Sequence, residues 1–170
     1  MGEKAISLIL GIDPGTLHMG YGLIEASAWD DAKVMSWGVI RASSRLPMGE
    51  RLHHMYIELV ELTSLHAPSE VAVEEPFVAK NVRTAKAVGQ AQGVALMAAA
   101  ARGIKAARYT PTQVKYAVTG YGVASKEQIQ QALVQHLRLD ALPEPEDAAD
   151  ALAVALCHCQ ALRRAGLMDT

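Results

Sequence analysis

Ser7-Leu8-Ile9-Leu10-Gly11-Ile12-Asp13-Pro14-Gly15-Thr16 is the stretch from which the fold can be read. Ser7 to Ile12 is short and apolar, the mark of a buried strand. It ends in an acid, and Pro14 and Gly15 then force a turn. Tyr21 to Ala26 and Val34 to Ala42 follow with β-rich composition and turn signals between them, so the chain opens as three antiparallel strands. Helix and strand alternate after that. Pro47 to Leu65 predicts a helix with Leu52, Met55, Leu59 and Leu62 on one stripe. Val71 to Glu74 is a short apolar strand ending in acid. Asn81 caps a long helix reaching about Arg102, and Ile104 to Tyr109 is another strand. Thr110–Gln113 and Ser125–Gln128 are capping boxes, the first with Pro111 at the first helical position. Pro143 and Pro145 break the chain before a last helix from about Glu146 to Arg164. Antiparallel strands first, with later strands reached by helical crossovers, predict an α/β fold. Its mixed five-stranded sheet, three antiparallel strands and then two parallel additions, is flanked by helices.

With 170 residues, 51% of them apolar and 20% charged, the chain is expected to form one globular domain over residues 1–170. Met1 to Ile12 loosely mimics a signal peptide, but it ends in Asp13-Pro14-Gly15 with no small-residue cleavage site. The longest later apolar run, Val94 to Ala101, is too short to span a membrane. A soluble, cytoplasmic protein is therefore expected. Cys157 and Cys159 flank His158. Residues two apart on a helix face different ways and chelate poorly, so small buried core residues are the favoured reading.

Net charge is −2, but its distribution is uneven. Residues 1–79 hold 5 basic and 11 acidic side chains, residues 80–138 hold 9 and 1, and residues 139–170 hold 2 and 6. The basic middle segment is either a solvated face or a phosphate-binding surface.

Three separate segments each place acid at the mouth of a buried element. Asp13 closes the first strand, where sites form in α/β sheets. Glu74 closes the Val71-Ala72-Val73 strand and lies beside Asp13 if the two strands pair in parallel; Glu75 must then face away. Asp147 and Asp150, three apart, share one face of the last helix. Each has an ordinary explanation: a turn residue, a solvated strand end, acids at a helix dipole. Taken together, they repel one another unless a cation sits between them. Oxygen-only ligands select magnesium, with manganese able to substitute, over zinc. Two such ions can clamp the attacking and leaving oxygens of an in-line phosphoryl displacement. A metal-dependent nuclease with catalytic and metal-binding Asp13, Glu74, Asp147 and Asp150 is the expectation.

These segments, in order, resemble the RuvC family of Holliday-junction resolvases, within the ribonuclease-H-like nucleases. The matching pieces are Asp13-Pro14-Gly15-Thr16 with Gly20-Tyr21-Gly22, Val73-Glu74 with Phe77, Asn81, and Gly89-Gln90-Ala91-Gln92-Gly93. Pro111 with Val114-Lys115, Gly120 with Lys126, and Asp147-Ala148-Ala149-Asp150-Ala151-Leu152-Ala153 complete the set. The resemblance implies a homodimer that cuts two opposed strands of a four-way DNA junction, leaving 5′-phosphate and 3′-hydroxyl ends in recombination and repair. It also implies two metal ions held by the four acids, and contact with the RuvA–RuvB branch-migration complex. Many members carry histidine at the position of Asp147 and arginine at that of Gln92.

Phe77, the chain's single phenylalanine, is either a core aromatic or a loop ring that stacks on an unpaired base, which stabilises by roughly 1–3 kcal/mol. The resemblance favours stacking. Lys80, Arg83 and Lys86 recur near a helix start, where positive charge opposes the helix dipole and a docked phosphate would relieve the conflict. Lys115 and Lys126 pose the same puzzle and match family lysines that touch DNA. Phe77, Lys80, Asn81, Arg83, Lys115 and Lys126 are thus the candidate DNA contacts. Gly89 and Gly93 suit either a two-fold interface or packing on the chain's own sheet. Three other functions compete. An actin-like or sugar-kinase phosphotransferase shares Gly-Ile-Asp-x-Gly-Thr but needs a second lobe. A junction-binding module without activity would not need every acid. A nuclease of this fold acting on RNA or linear DNA is the third.

Overall fold

The computed structural model describes residues 6–75 and 81–167. Its elements are β1 (Ser7–Asp13), β2 (His18–Ala26), β3 (Lys33–Arg41), α1 (Met48–His66), β4 (Glu70–Glu74), α2 (Val82–Ala101), β5 (Lys105–Tyr109), α3 (Pro111–Thr119), α4 (Lys126–Leu137) and α5 (Glu146–Arg164). The strands form one sheet in the order β3-β2-β1-β4-β5. Pairing is antiparallel between β1 and β2 and between β2 and β3, and parallel from β1 to β4 and from β4 to β5. The expected mixed sheet is the observed one. Two details differ. β2 starts at His18 rather than Tyr21, because pairing with β3, where His18 stands opposite Arg41, carries the strand through its polar first residue. A short 3-10 turn at Trp29–Asp31 was not anticipated; there the Asp31 carboxylate accepts from the backbone N–H of Ser27 at 3.0 Å and of Ala28 at 2.7 Å.

The caps explain where helices begin. Asn81 Oδ1 accepts from the N–H of Arg83 and Thr84 at 3.1 and 3.2 Å. Both capping boxes close reciprocally: Gln113 Oε1 takes the Thr110 N–H and Gln128 Oε1 takes the Ser125 N–H, each at 2.8 Å.

Strand alternation sorts the sheet into two cores. Leu10, Ile12, Val71 and Val73 face α1 and α2, burying Met55, Leu59, Ala91, Ala95 and Ala98. Ile9, Ile24 and Ala72 face α3, α4 and α5. On this second face the β1–β2 pair turns to glycine towards the Asp13 end. Gly11 stands opposite Gly22, and Gly20 opposite Asp13. α5 drops into that gap. A Cβ on Gly11 would lie 2.7 Å from the Ala155 nitrogen, one on Gly22 would lie 2.6 Å from Leu152 Cγ, and one on Gly20 would strike the Asp147 carbonyl. Helix backbone therefore rests on strand backbone, and Ala148, Ala149 and Ala151 through Cys159 are buried.

Cys157 and Cys159 are buried in this interface, as expected of core residues. Burial pushes both thiols up to about 12. His158 between them is also buried, its Nδ1 2.7 Å from the Tyr109 hydroxyl and its Nε2 3.4 Å from Glu70 Oε2.

Replacing a seat glycine must push α5 outward. Gly22→Ala is expected to destabilise by about 1–3 kcal/mol, as overpacking does. Gly49→Ala, in the first turn of α1 with open space at its Cβ, should be neutral or stabilise by up to about 1 kcal/mol. Urea denaturation of both variants checks the contrast, and equal effects would refute the seat.

Candidate active site

The same alternation places the acids. Asp13 follows Ile9 and Gly11 on the α5 face of β1, and Glu74 follows Glu70 and Ala72 on the α5 face of β4. Ile12 pairs with Val73, so the next residues along each strand, Asp13 and Glu74, end side by side. Asp13 also stands opposite Gly20, over which the backbone of Asp147 sits. One helical turn later, Asp150 lines a cleft of about 260 Å³ with Glu74, Lys115, Lys126, Pro111 and Ile129. All four predicted acids therefore gather at one end of the sheet, from three separate elements. Glu75 turns the other way, towards Arg108 at 3.6 Å. A larger apolar groove of about 590 Å³ between α3 and α5 holds no carboxylate and stands apart from this chemistry.

Crowding shows in the protonation. Burial first, then the charges of Glu74, Asp150 and Asp147, push Asp13 up to about 8. Burial and the charge of Asp150 push Glu74 up to about 7, against a hydrogen bond from Asp13 and the nearby Lys115. Asp13 thus carries the proton that it shares with Glu74. Asp150 is raised by burial, with Lys126 opposing.

Among the described residues, no three His, Cys, Asp or Glu side chains converge into a ready-made metal cage. The donor chemistry nonetheless fits a hard divalent cation. The four acids offer only carboxylate oxygens, and the proton held by Asp13 marks surplus negative charge that a cation would neutralise.

The basic candidates separate. Lys115 and Lys126 both line the acidic cleft. Lys126 pairs with Glu146 and lies 3.9 Å from Asp150 Oδ2. Arg83 and Lys86 are exposed on the first turns of α2, away from that cleft lining. The Asn81 side-chain oxygen is committed to its helix cap. Phe77 and Lys80 lie outside the described residues. Two participants escaped the sequence reading. Glu146 read only as a helix start, yet it engages Lys126. Gln92, noted for the arginine it replaces, donates its carboxamide N–H to the Glu74 carbonyl at 3.4 Å. No local pattern announces either contact, because each joins residues distant in sequence.

Known proteins resemble this chain closely. The family model described as crossover junction endodeoxyribonuclease RuvC matches residues 9–158. A protein of that name from Dehalococcoides mccartyi is 49% identical, with 88% of this chain and 90% of that protein covered. Another from Syntrophomonas wolfei is 48% identical, covering 95% and 94%. Among solved structures, Thermus thermophilus RuvC in complex with a Holliday junction substrate superposes with a TM-score of 0.88 at 35% identity, covering 95% of this chain and 97% of that one. The yeast mitochondrial Holliday junction resolvase Ydc2 shares the fold, with a TM-score of 0.67 at 15% identity over 95% and 82% of the two chains.

The raised carboxylates make metal-free stability depend on pH. The folded state keeps protons that the unfolded chain releases from about pH 4 upwards. Stability is therefore lost progressively as pH rises through that window, until Asp13 itself ionises near 8. Asp13→Asn removes the largest contributor. Its gain in Tm over wild type, measured with a chelator present, should grow from pH 5 to pH 8 and shrink when manganese is added. A gain that ignores pH would refute the assignment.

Proposed function

This chain belongs to the RuvC family of crossover junction endodeoxyribonucleases, and on that basis we infer that it resolves four-way DNA junctions by hydrolysing phosphodiester bonds on opposed strands. The observation that carries this reading is the crowding of Asp13, Glu74, Asp147 and Asp150 at one end of the sheet beside two lysines, in a chain matched over residues 9–158. Dependence on a divalent metal comes with the family fold. The finer proposal is magnesium, replaceable by manganese, as two ions held by the four acids. When bound, the cations supply the positive charge that polarises the scissile phosphate and offsets charge on the leaving oxygen.

The protein's own residues do the rest. Asp13 must give up its shared proton before all four carboxylates can act as ligands, so acid conditions oppose loading. Lys115 beside Glu74 and Lys126 beside Asp150 are poised to receive phosphate oxygens on the two flanks of the acids. Gln92 steadies the end of β4 from behind. Cleavage that leaves 5′-phosphate and 3′-hydroxyl ends yields nicks ready for ligation, as recombination and repair require. Phe77 is proposed to stack on a base near the crossover, with Lys80, Asn81 and Arg83 following it along the DNA.

Paired cutting needs two sites, hence a homodimer. Its support is a stripe on α2, where Val82 and Met97 are 81% and 54% exposed and a Cβ on Gly89 or Gly93 would meet open space. That openness counts against packing of the two glycines on the chain's own sheet. Two wider expectations are retained: contact with a branch-migration complex of the RuvA–RuvB kind, and a cytoplasmic location beside the DNA. Among the described residues, no helix is long and apolar enough to cross a membrane.

Asp13→Asn should reduce cleavage of a synthetic four-way junction by at least about 10³-fold, while junction binding in gel shift stays within about twofold of wild type. Loss of both would make Asp13 structural. Wild-type protein should cut the four-way junction in preference to linear duplex and RNA–DNA hybrid. Equal cutting of all three would favour a nuclease of this fold with a different substrate. Binding should also weaken steeply with salt, by counterion release.

A further inference from the structure

The first two turns of α5 carry Asp147 and Asp150, yet Pro145 at its N-cap offers no side-chain hydrogen bond. An uncapped helix start is free to fray, so whatever places these two acids must come from outside the helix. Gly20 admits the Asp147 backbone from below, and Lys126 engages Glu146 from α4. A third tie comes from the edge of the sheet. Trp37 on β3 stands opposite Gly22, whose Cβ would meet Leu152 of α5. Directly opposed residues project to the same face, so the indole lies on the α5 side. Its Nε1–H donates to the Glu144 carbonyl at 3.2 Å, two residues before α5 begins. Trp37 is 45% exposed, too open to be explained as core packing alone.

We propose that Trp37 is a positioning residue, which fixes the connection entering α5 and thereby sets Asp147 and Asp150 against Asp13. The tie joins the sheet edge to the helix start across 107 positions of sequence. Its effect on cutting rests on the reading that these acids perform the cleavage.

Trp37→Phe removes the N–H donor and keeps an aromatic ring. In the full-length protein, amides 146–150 should exchange with solvent faster, while those of β1 and α1 keep wild-type protection. On a four-way junction, kcat should fall roughly 10-fold with KM and metal-free junction affinity within about twofold. Trp37→Ala should show the same pattern more strongly. Wild-type exchange at 146–150 in Trp37→Phe would overturn the proposal, and so would a fall in kcat unaccompanied by faster exchange. If wild-type protein cuts no junction, the functional reading fails, but hydrogen exchange still decides the role of Trp37.

Discussion

Everything at the functional end of this molecule depends on one contact: the backbone of α5 lying against the backbone of β1 and β2. A helix usually packs about 10 Å from a sheet because side chains fill the space between. Here Gly11, Gly20 and Gly22 remove those side chains from three adjoining cross-strand positions. The helix answers with its own small residues, Ala148, Ala151 and Ala155, all fully buried. The gain is position. Because Gly20 is the cross-strand partner of Asp13, the helix start above it lies beside the end of β1. Side chains at the seat would hold Asp147 and Asp150 away from Asp13 and Glu74, and the four carboxylates from three elements would not meet.

That arrangement works against stability. Buried acids near one another cannot all ionise without a compensating cation, and Asp13 keeps a proton near neutral pH for this reason. The molecule tolerates the conflict because its two cores lie on opposite faces of the sheet and close without help from the acids. Leu10, Ile12, Val71 and Val73 close one, while Ile9, Ile24, Leu152 and Leu156 close the other. The site occupies the rim where both cores end. Charge is balanced locally as well: Lys115 draws on Glu74, and Lys126 on Asp150.

Much of this was legible in the residues, for physical reasons. Ser7 to Ile12 reads as a buried strand because only apolar side chains fit between two helical layers. The starts of α2, α3 and α4 were legible because a cap is a local device, complete within four residues. The pairing of Asp13 with Glu74 followed from period-two alternation once β1 and β4 were placed in parallel. What stayed hidden was non-local. Gly20 and Gly22 stood in a recognised motif, yet their role as a seat appears only when the Asp147 carbonyl and Leu152 are seen above them. Trp37 reads as one more strand aromatic until Glu144 arrives beside it. The basic run at 80–86 gave no way to separate a solvated charge from a working one, whereas the cleft singles out Lys115 and Lys126 by their neighbours.

The two lysines also show how a helix start can be spent. A cation in the first turns of a helix opposes the macrodipole, and acids there reinforce it. α4 opens on Lys126 and accepts that penalty, while α5 opens on Glu146 and Asp147 and gains from it. The Lys126–Glu146 pair brings these two helix starts together, so the glutamate offsets the penalty that the lysine meets at the start of α4. Such a pair, both members half-exposed, contributes little to stability. Its value is therefore in placement: it holds a positive charge next to Asp150 while leaving that charge exposed. A buried bridge would lock the lysine away, and an unpaired lysine would leave the flank of the site undefined. The exposed pair lies between those extremes, as the phosphate contact proposed for Lys126 requires.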